Sequence, residues 1–260
     1  MEYDKYGDLS ISGSGKTGGG VFNRVHISGS AQITGDIECA DFHADGSCHV
    51  SGSMKARTGR ISGSAHVVGS AEFADGLSVS GTGHMDGCVG GGRLSVSGSL
   101  HIGGDVQVKE AAVSGSMHVG GSLAAKTARI SGELTVGGDC GADTFRAEGG
   151  LRIDGLLNAD TVELRLHPFH NRIREIGGGS IRVEQGHRAL GVLLHAFVGS
   201  DFILTADTIE GDEVWLEHTK AAVVRGKRVT IGPGCEIGRV EYDEDLQTDG
   251  GAKVGESRKR

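Results

Sequence analysis

The chain has 260 residues, of which 47 are glycine and 2 are proline, and aromatic side chains make up only 4%. This composition argues against a conventional globular core, which needs more large aromatic side chains, and the shortage of proline argues against collagen. The formal net charge of −8 disfavours nucleic acid as a partner, because phosphate binding needs a basic surface.

Residues 1–21 are rich in glycine, serine and charged side chains, and we interpret them as a flexible N-terminal lead-in. Their polar, acidic start is unlike a signal peptide, and the five cysteines are irregularly spaced without a CxxC pair. Both features predict a cytoplasmic protein with reduced thiols. The stretch Gly13–Thr17 lacks the glycine spacing of a phosphate-binding loop, so no nucleotide and no other cofactor is expected.

Glycines recur in two series through residues 22–159. The first series is Gly29, Gly46, Gly63, Gly81, Gly98, Gly115, Gly132 and Gly149, and the second is Gly35, Gly52, Gly69, Gly87, Gly104, Gly121, Gly138 and Gly155. Every step is 17 residues except one of 18 in each series, and both of these reflect the same extra residue near Ala74–Gly76. A 17-residue unit is too short for a helix pair and fits one coil of a β-helix, with glycine at corners that need positive φ.

The residues between the glycines support this interpretation. Period-2 alternation places six positions of each coil inside, two before each first-series glycine and two on either side of each second-series glycine. None of these positions carries a polar side chain, although Gly59, Gly83 and Gly91 have no side chain at all. The sequence therefore predicts an all-β fold, a three-sided β-solenoid with eight coils of about 17 residues in 22–159.

The 17-residue rhythm is lost after Ala159. We predict an irregular segment at 160–205, further β-helix coils at 206–242, and a polar, disordered C-terminal tail at 243–260. The irregular segment contains an apolar insertion with Leu190, Leu193, Leu194 and Phe197. It is interpreted either as a cover over an open solenoid end or as a contact with a membrane surface or a membrane-associated protein.

Short tandem units give the chain a resemblance to the bactofilins, a family of bacterial polymer-forming cytoskeletal proteins. The units include His26–Ser30, Ile33–Asp36 and Leu100–Asp105, and the blocks Ile209–Glu217 and Ile231–Ile237 resemble a Firmicutes-type branch. The resemblance implies a right-handed β-helix whose coils stack end to end into nucleotide-independent filaments. It also implies a role in cell shape, motility or the placing of other proteins, often beneath the membrane, at its inner face.

A solenoid exposes strand edges at both ends, so it must be capped or must stack on a neighbour. Self-association into a homopolymer is predicted, with Phe22 and Val25 at one end and Val240 and Tyr242 at the other as polymer contacts. The alternative is a binding module that does not polymerise. No catalytic residues are predicted, and the protein is not expected to be an enzyme.

A hexapeptide-type acyltransferase is a further alternative, suggested by the six-residue spacing in Ile231–Gly238. Such enzymes use six-residue steps throughout, about 18 residues per coil, whereas the main repeat here is split into six and eleven.

A column of histidines is the most suggestive group of polar residues. Each histidine stands three residues before a second-series glycine, and alternation points them outward, about 4.8 Å apart on successive coils. The column consists of His49, His66, His84, His101 and His118. Stacked imidazoles can bind a transition metal or sense pH. We favour a solvated ladder without metal, repeated because the unit was duplicated, since neighbouring columns offer few ligands.

Overall fold

The computed structural model describes residues 3–167, 170–186 and 202–260. The fold is all-β, as predicted: parallel strands form a β-solenoid of about 14 turns, with about 17 residues per turn. Within the described ranges the helical structure is a single 3₁₀ turn, Tyr3–Lys5. The chain divides into two compact units, residues 1–126 and 127–260.

From β4 onward the strands of the first unit alternate in length, because one side of each turn is a separate short strand and the other two sides form one longer strand; β2 and β3 before them are both long. They are β1 (Leu9–Ile11), β2 (Ser14–Ile27), β3 (Ser30–Ala44), β4 (Ser47–Val50), β5 (Met54–Ile61), β6 (Ser64–Val67), β7 (Ala71–Val79), β8 (Thr82–Met85), β9 (Val89–Val96), β10 (Ser99–Ile102), β11 (Val106–Val113) and β12 (Ser116–Val119). β13 (Leu123–Ile130) contains the boundary between the units.

The six inward positions of each coil are buried as the alternation predicts. In β5, for example, Met54 and Ala56 are buried, the alternation shifts by one residue at a corner, and Gly59 and Ile61 are buried again. Three of the predicted inward positions are only half-buried: Gly91, Ala125 and Ala142. Small aliphatic side chains thus fill a narrow core, which explains the low aromatic content.

The corner glycines have a different cause from the predicted one. Positive φ occurs in the described residues at Gly20, Gly35, Gly91, Gly234 and one other residue, so it is not a property of the two series. Close approach of stacked turns explains the first series in this unit, because a Cβ on each glycine would lie 2.0–2.1 Å from a carbonyl oxygen of the preceding turn. Any side chain there would force the turns apart.

Two inward glycines are compensated by large neighbours. A Cβ on Gly59 would lie 2.3 Å from Cε1 of Phe73, and a Cβ on Gly83 would lie 2.7 Å from Cδ1 of Leu100. Phe73 and Leu100 are both 1% exposed. Large side chains on adjacent turns therefore occupy the space that these glycines leave open.

The single 18-residue turn is absorbed at a corner. Phe73 pairs with Ala56 on one side and Gly91 on the other, and the register resumes at Gly76, paired with Thr58 and Arg93. The exposed residues between Phe73 and Gly76 form a bulge, so the inward positions stay in phase.

The second unit begins with the same kinds of strand as the first, and from β16 to β20 its strands are longer and turn corners without a break. They are β14 (Glu133–Val136), β15 (Cys140–Ala147), β16 (Gly150–Leu166), β17 (Asn171–Gln185), β18 (Leu204–Leu216), β19 (Thr219–Ile231), β20 (Glu236–Thr248) and β21 (Lys253–Lys259). Turn length varies here: Val162 pairs with Ile181 nineteen residues later, whereas Leu204 pairs with Thr219 fifteen residues later.

Three segments are more regular than the sequence analysis predicts. In the described part of 160–205, β16 and β17 continue the solenoid, because alternate apolar residues keep the inward phase even though turn length changes. The N-terminal lead-in contains β1 and β2, which pair with the following turns. The polar C-terminal tail is a strand as well, because backbone pairing with β20 needs no apolar side chain.

Candidate functional site

The five histidines of the predicted column lie side by side on the first unit. They occupy the same outward position of β4, β6, β8, β10 and β12, and the strand register pairs each with the next. Centroids of neighbouring rings are 4.6–4.9 Å apart. Rings 49, 66 and 84 meet edge to face, whereas rings 84, 101 and 118 are stacked within 6° of parallel. We call this group the histidine column.

Asp86 adds a carboxylate to the middle of the histidine column. Nε2 of His84 is 2.8 Å from Oδ1 of Asp86, and Nε2 of His66 is 3.1 Å from Oδ2. The hydrogen bond from His66 is the main cause that holds the pKa of the Asp86 carboxyl below its usual value; burial opposes it, and the charges of both histidines and the hydrogen bond from His84 act in the same direction as His66. The ligand atoms of these three residues all lie within 4.8 Å of one another.

Sequence reasoning missed Asp86, although the signal was present. It stands two residues after His84, so strand alternation directs both side chains to the same face. The residues at the same position of neighbouring turns are Val68 and Gly103, which offer no carboxylate. The histidine column therefore carries an acid beside one pair of rings.

His101 sits between two parallel rings in the column. Its pKa is lowered, chiefly by burial and then by the charges of His118 and His84, while Asp86 acts in the opposite direction. Protonating an imidazole that is stacked between two others brings like charges close together. The stack therefore favours the neutral form of His101.

The cysteines lie mostly on the inside of the turns. All five are free, and four are buried, with only Cys88 exposed. Burial raises the pKa of the Cys39, Cys48 and Cys140 thiols to about 12. These protonated thiols pack as small apolar groups and are not suited to nucleophilic chemistry.

Columns of ion pairs line the outer surface of the second unit. Arg225 bridges Glu210 and Glu241 on the turns before and after it, and Nε of Arg225 is 2.9 Å from Glu241. Arg228 bridges Glu213 and Glu244 in the same way. These pairs join successive turns through side chains, and they neutralise the acidic residues locally.

Three of the four predicted polymer contacts have a further strand beyond them, because Val25 pairs with β1, and Val240 and Tyr242 pair with β21; among the described strands Phe22 pairs only with Cys39 of the next turn. Val25 and Val240 are fully buried in the core, because β1 and β21 add a further turn beyond each of them. Phe22 and Tyr242 are half-buried. The residues beyond them are mostly polar and predict a flexible lead-in and tail, which is why these four positions are predicted as the solenoid ends.

The two terminal turns have different inward residues. Leu9 and Ile11 pair with Val25 and Ile27 and continue their inward columns, but they remain half-buried. At the other end, Ser257 pairs with Val240 and is exposed. Val254, which pairs with Ile237, is still apolar and half-buried, so a polar residue ends only one inward column at this end, whereas both columns of β1 end on apolar residues.

The predicted membrane or partner contact, Leu190, Leu193, Leu194 and Phe197, lies outside the described residues. In the described ranges, no helix has the length and apolar character needed to cross a bilayer.

The geometry defines the chain as a β-solenoid repeat protein with an outward histidine column. It is similar to two Bacillus subtilis proteins, each described only as uncharacterised. YhbF is 43% identical over 99 residues, which are 37% of this chain and 39% of that protein. YhbE is 51% identical over 57 residues, 22% of this chain and 24% of that protein. The matched stretches therefore span well under half of either relative, and no family model and no solved structure matches the chain.

Proposed function

We propose that the protein is a nucleotide-independent, filament-forming scaffold of a bacterium, which supports cell shape, motility or the placing of other proteins. The observation that carries the proposal is the open N-terminal turn. Leu9 and Ile11 continue two inward columns and are only half-buried, and β1 pairs with β2 alone among the described strands. A second copy that stacks on this turn would cover its apolar side chains and its strand edge.

The bactofilin resemblance supports the same proposal, since that family forms filaments by end-to-end stacking of β-helices. The parallel pairing along each unit provides the stacking geometry that such a filament needs. The similarity to two Bacillus subtilis proteins supports a bacterial setting. No catalytic role and no nucleotide is part of the proposal.

Negative-stain electron microscopy of the purified protein without nucleotide, across a salt series, tests the proposal. We expect filaments for the native sequence and dispersed particles for Leu9→Arg, because a charge on the terminal turn cannot be buried at a junction. Val68→Arg is the matched control: Val68 is 41% exposed and lies on the side of the first unit. Filaments should persist in this variant.

Two outcomes would contradict the proposal. One is a native protein that stays as short, monodisperse particles at high concentration by microscopy and sedimentation velocity. The other is equal loss of filaments in the terminal variant and in the Val68 control. Circular dichroism should show native strand content in both variants, since neither change affects a fully buried residue.

A binding module that does not polymerise is the second candidate. The exposed Ser257 at an otherwise apolar inward column favours it, because a polar residue there suits a solenoid end that stays in water. Monodisperse native particles would favour this alternative over the scaffold.

A further inference from the structure

The middle of the histidine column combines two kinds of metal ligand at one place. His66 and His84 come from adjacent parallel strands in register, so the strand spacing fixes how far apart their rings lie. Asp86 follows β8 directly, and its carboxylate accepts hydrogen bonds from Nε2 of both rings. Two imidazole nitrogens therefore converge on one carboxylate.

The distances suit a small transition-metal ion. The three ligand atoms lie within 4.8 Å of one another. Zinc bonds to nitrogen and oxygen are about 2.0–2.2 Å long, so ligand atoms in a tetrahedral site stand roughly 3.4 Å apart. The three side chains are 40–46% exposed, so modest rotations about their own bonds close that difference without repacking the core.

The chemistry of the ligands limits which metal ions can bind. Two imidazoles and one carboxylate suit zinc and similar divalent transition metals better than calcium or magnesium, which prefer oxygen ligands. Three protein ligands leave a coordination position for water, as in zinc sites that are not purely structural. The other rings of the column stand beside the three ligands and limit the directions in which His66 and His84 turn.

We propose that His66, His84 and Asp86 bind a divalent transition metal of the zinc type on the outer surface of the first unit. The site lies on the side of the solenoid, away from the terminal turn proposed to mediate stacking, so it does not depend on filament formation. The carboxylate distinguishes it from a plain ladder of solvated histidines.

Isothermal titration calorimetry with zinc chloride tests the site, using the full chain purified without a polyhistidine tag. We expect one saturable site per chain. His84→Ala and Asp86→Ala should each raise the dissociation constant for zinc by more than about 10-fold, since loss of even a residue that only hydrogen-bonds a metal ligand weakens metal binding about 10- to 100-fold. Cobalt, followed by its visible absorption, should show a tetrahedral spectrum in the native protein that both variants lose.

His118→Ala is the matched control. It removes a ring from the same column, because His118 stacks on His101 in the same way that His101 stacks on His84. The residue two positions after His118 is Gly120, where His84 has Asp86. The dissociation constant of the control variant for zinc should change by less than about 3-fold. Circular dichroism and thermal unfolding in the absence of metal should show that all variants fold like the native chain, since the changed side chains are on the surface.

Three results would overturn the proposal. No saturable heat with zinc up to millimolar concentration would exclude the site. Equal weakening by the His118 and His84 variants would show diffuse binding along the column. Unchanged affinity in the Asp86 variant would remove the carboxylate from the site. Retained filament formation in all these variants would separate the metal site from the scaffold function.

Discussion

The fit between Gly59 and Phe73 gives a quantitative prediction about the core. In Gly59→Ala the new Cβ would lie 2.3 Å from Cε1 and 2.7 Å from Cδ1 of Phe73. Optimal carbon–carbon contacts are about 3.5–4.0 Å, so the ring would have to move by about 1.2 Å or more. Gly59 does not have positive φ, so backbone strain does not contribute. We expect a destabilisation of about 1–3 kcal/mol from overpacking alone.

A double-mutant cycle isolates this contact. Phe73→Leu shortens the side chain that fills the space above Gly59, so the added methyl group of Gly59→Ala should cost less in that background. The coupling should exceed the error of about 0.5 kcal/mol expected for independent sites. Urea unfolding followed by circular dichroism measures the four midpoints and slopes. If Gly59→Ala destabilises both backgrounds equally, the ring of Phe73 is not what excludes a side chain at position 59.

Three further predictions concern the surface and the corners. In Gly98→Ala the new Cβ would meet the carbonyl oxygen of Gly81, so the free energy of unfolding in urea should fall by about 2–4 kcal/mol. In Gly141→Ala the new Cβ has no atom within 4 Å, so the free energy of unfolding should stay within about 0.5 kcal/mol of the native value. Similar losses in both variants would refute the close-approach argument. Arg225→Gln should lower the melting temperature at pH 7 and less so in high salt. The Arg225 side chain lowers the pKa of the Glu241 carboxyl, so this stabilisation is present above the ordinary glutamate pKa of about 4.3 and is lost as pH falls through the lowered value. A difference in melting temperature between variant and native protein that persisted in strong acid would contradict this reasoning. NMR titration should show a pKa of His101 below that of a free histidine, so acidification below about pH 6.5 should destabilise the fold through this residue. A raised pKa would show that the stacked rings do not disfavour the charged form of His101.

The sequence was sufficient to predict the core of the first unit. There the turn length is nearly constant, so residues such as Val50 and Val67 recur at one spacing and their inward direction follows from alternation alone. In the second unit, parallel pairing only requires that inward residues stay in phase. Turns of fifteen or nineteen residues satisfy that requirement equally well, and a search for a fixed period does not find them.

The terminal turns and the metal site were harder to predict for other reasons. β1 and β21 join the solenoid through backbone pairing with β2 and β20, which does not need apolar side chains, although the mostly polar segments that contain them predict disorder. The histidine column followed from the repeat because every turn contributes to it. Asp86 is different: the matching positions of the neighbouring turns are Val68 and Gly103, so the repeat pattern does not predict a carboxylate there. Its role depends on the side-chain distances to His66 and His84, which only the structure provides.

The bulge in the 18-residue turn also indicates where the chain tolerates added length. Ala74 and Asp75 stand where each neighbouring turn has one residue, and both are exposed. Phe73 and Leu77 nevertheless keep their places in the core. A short epitope or a fluorescent-labelling peptide grafted between Ala74 and Asp75 would leave the solenoid as a loop at a corner, whereas the same graft within β6 would interrupt the pairing of that four-residue strand with β4 and β8.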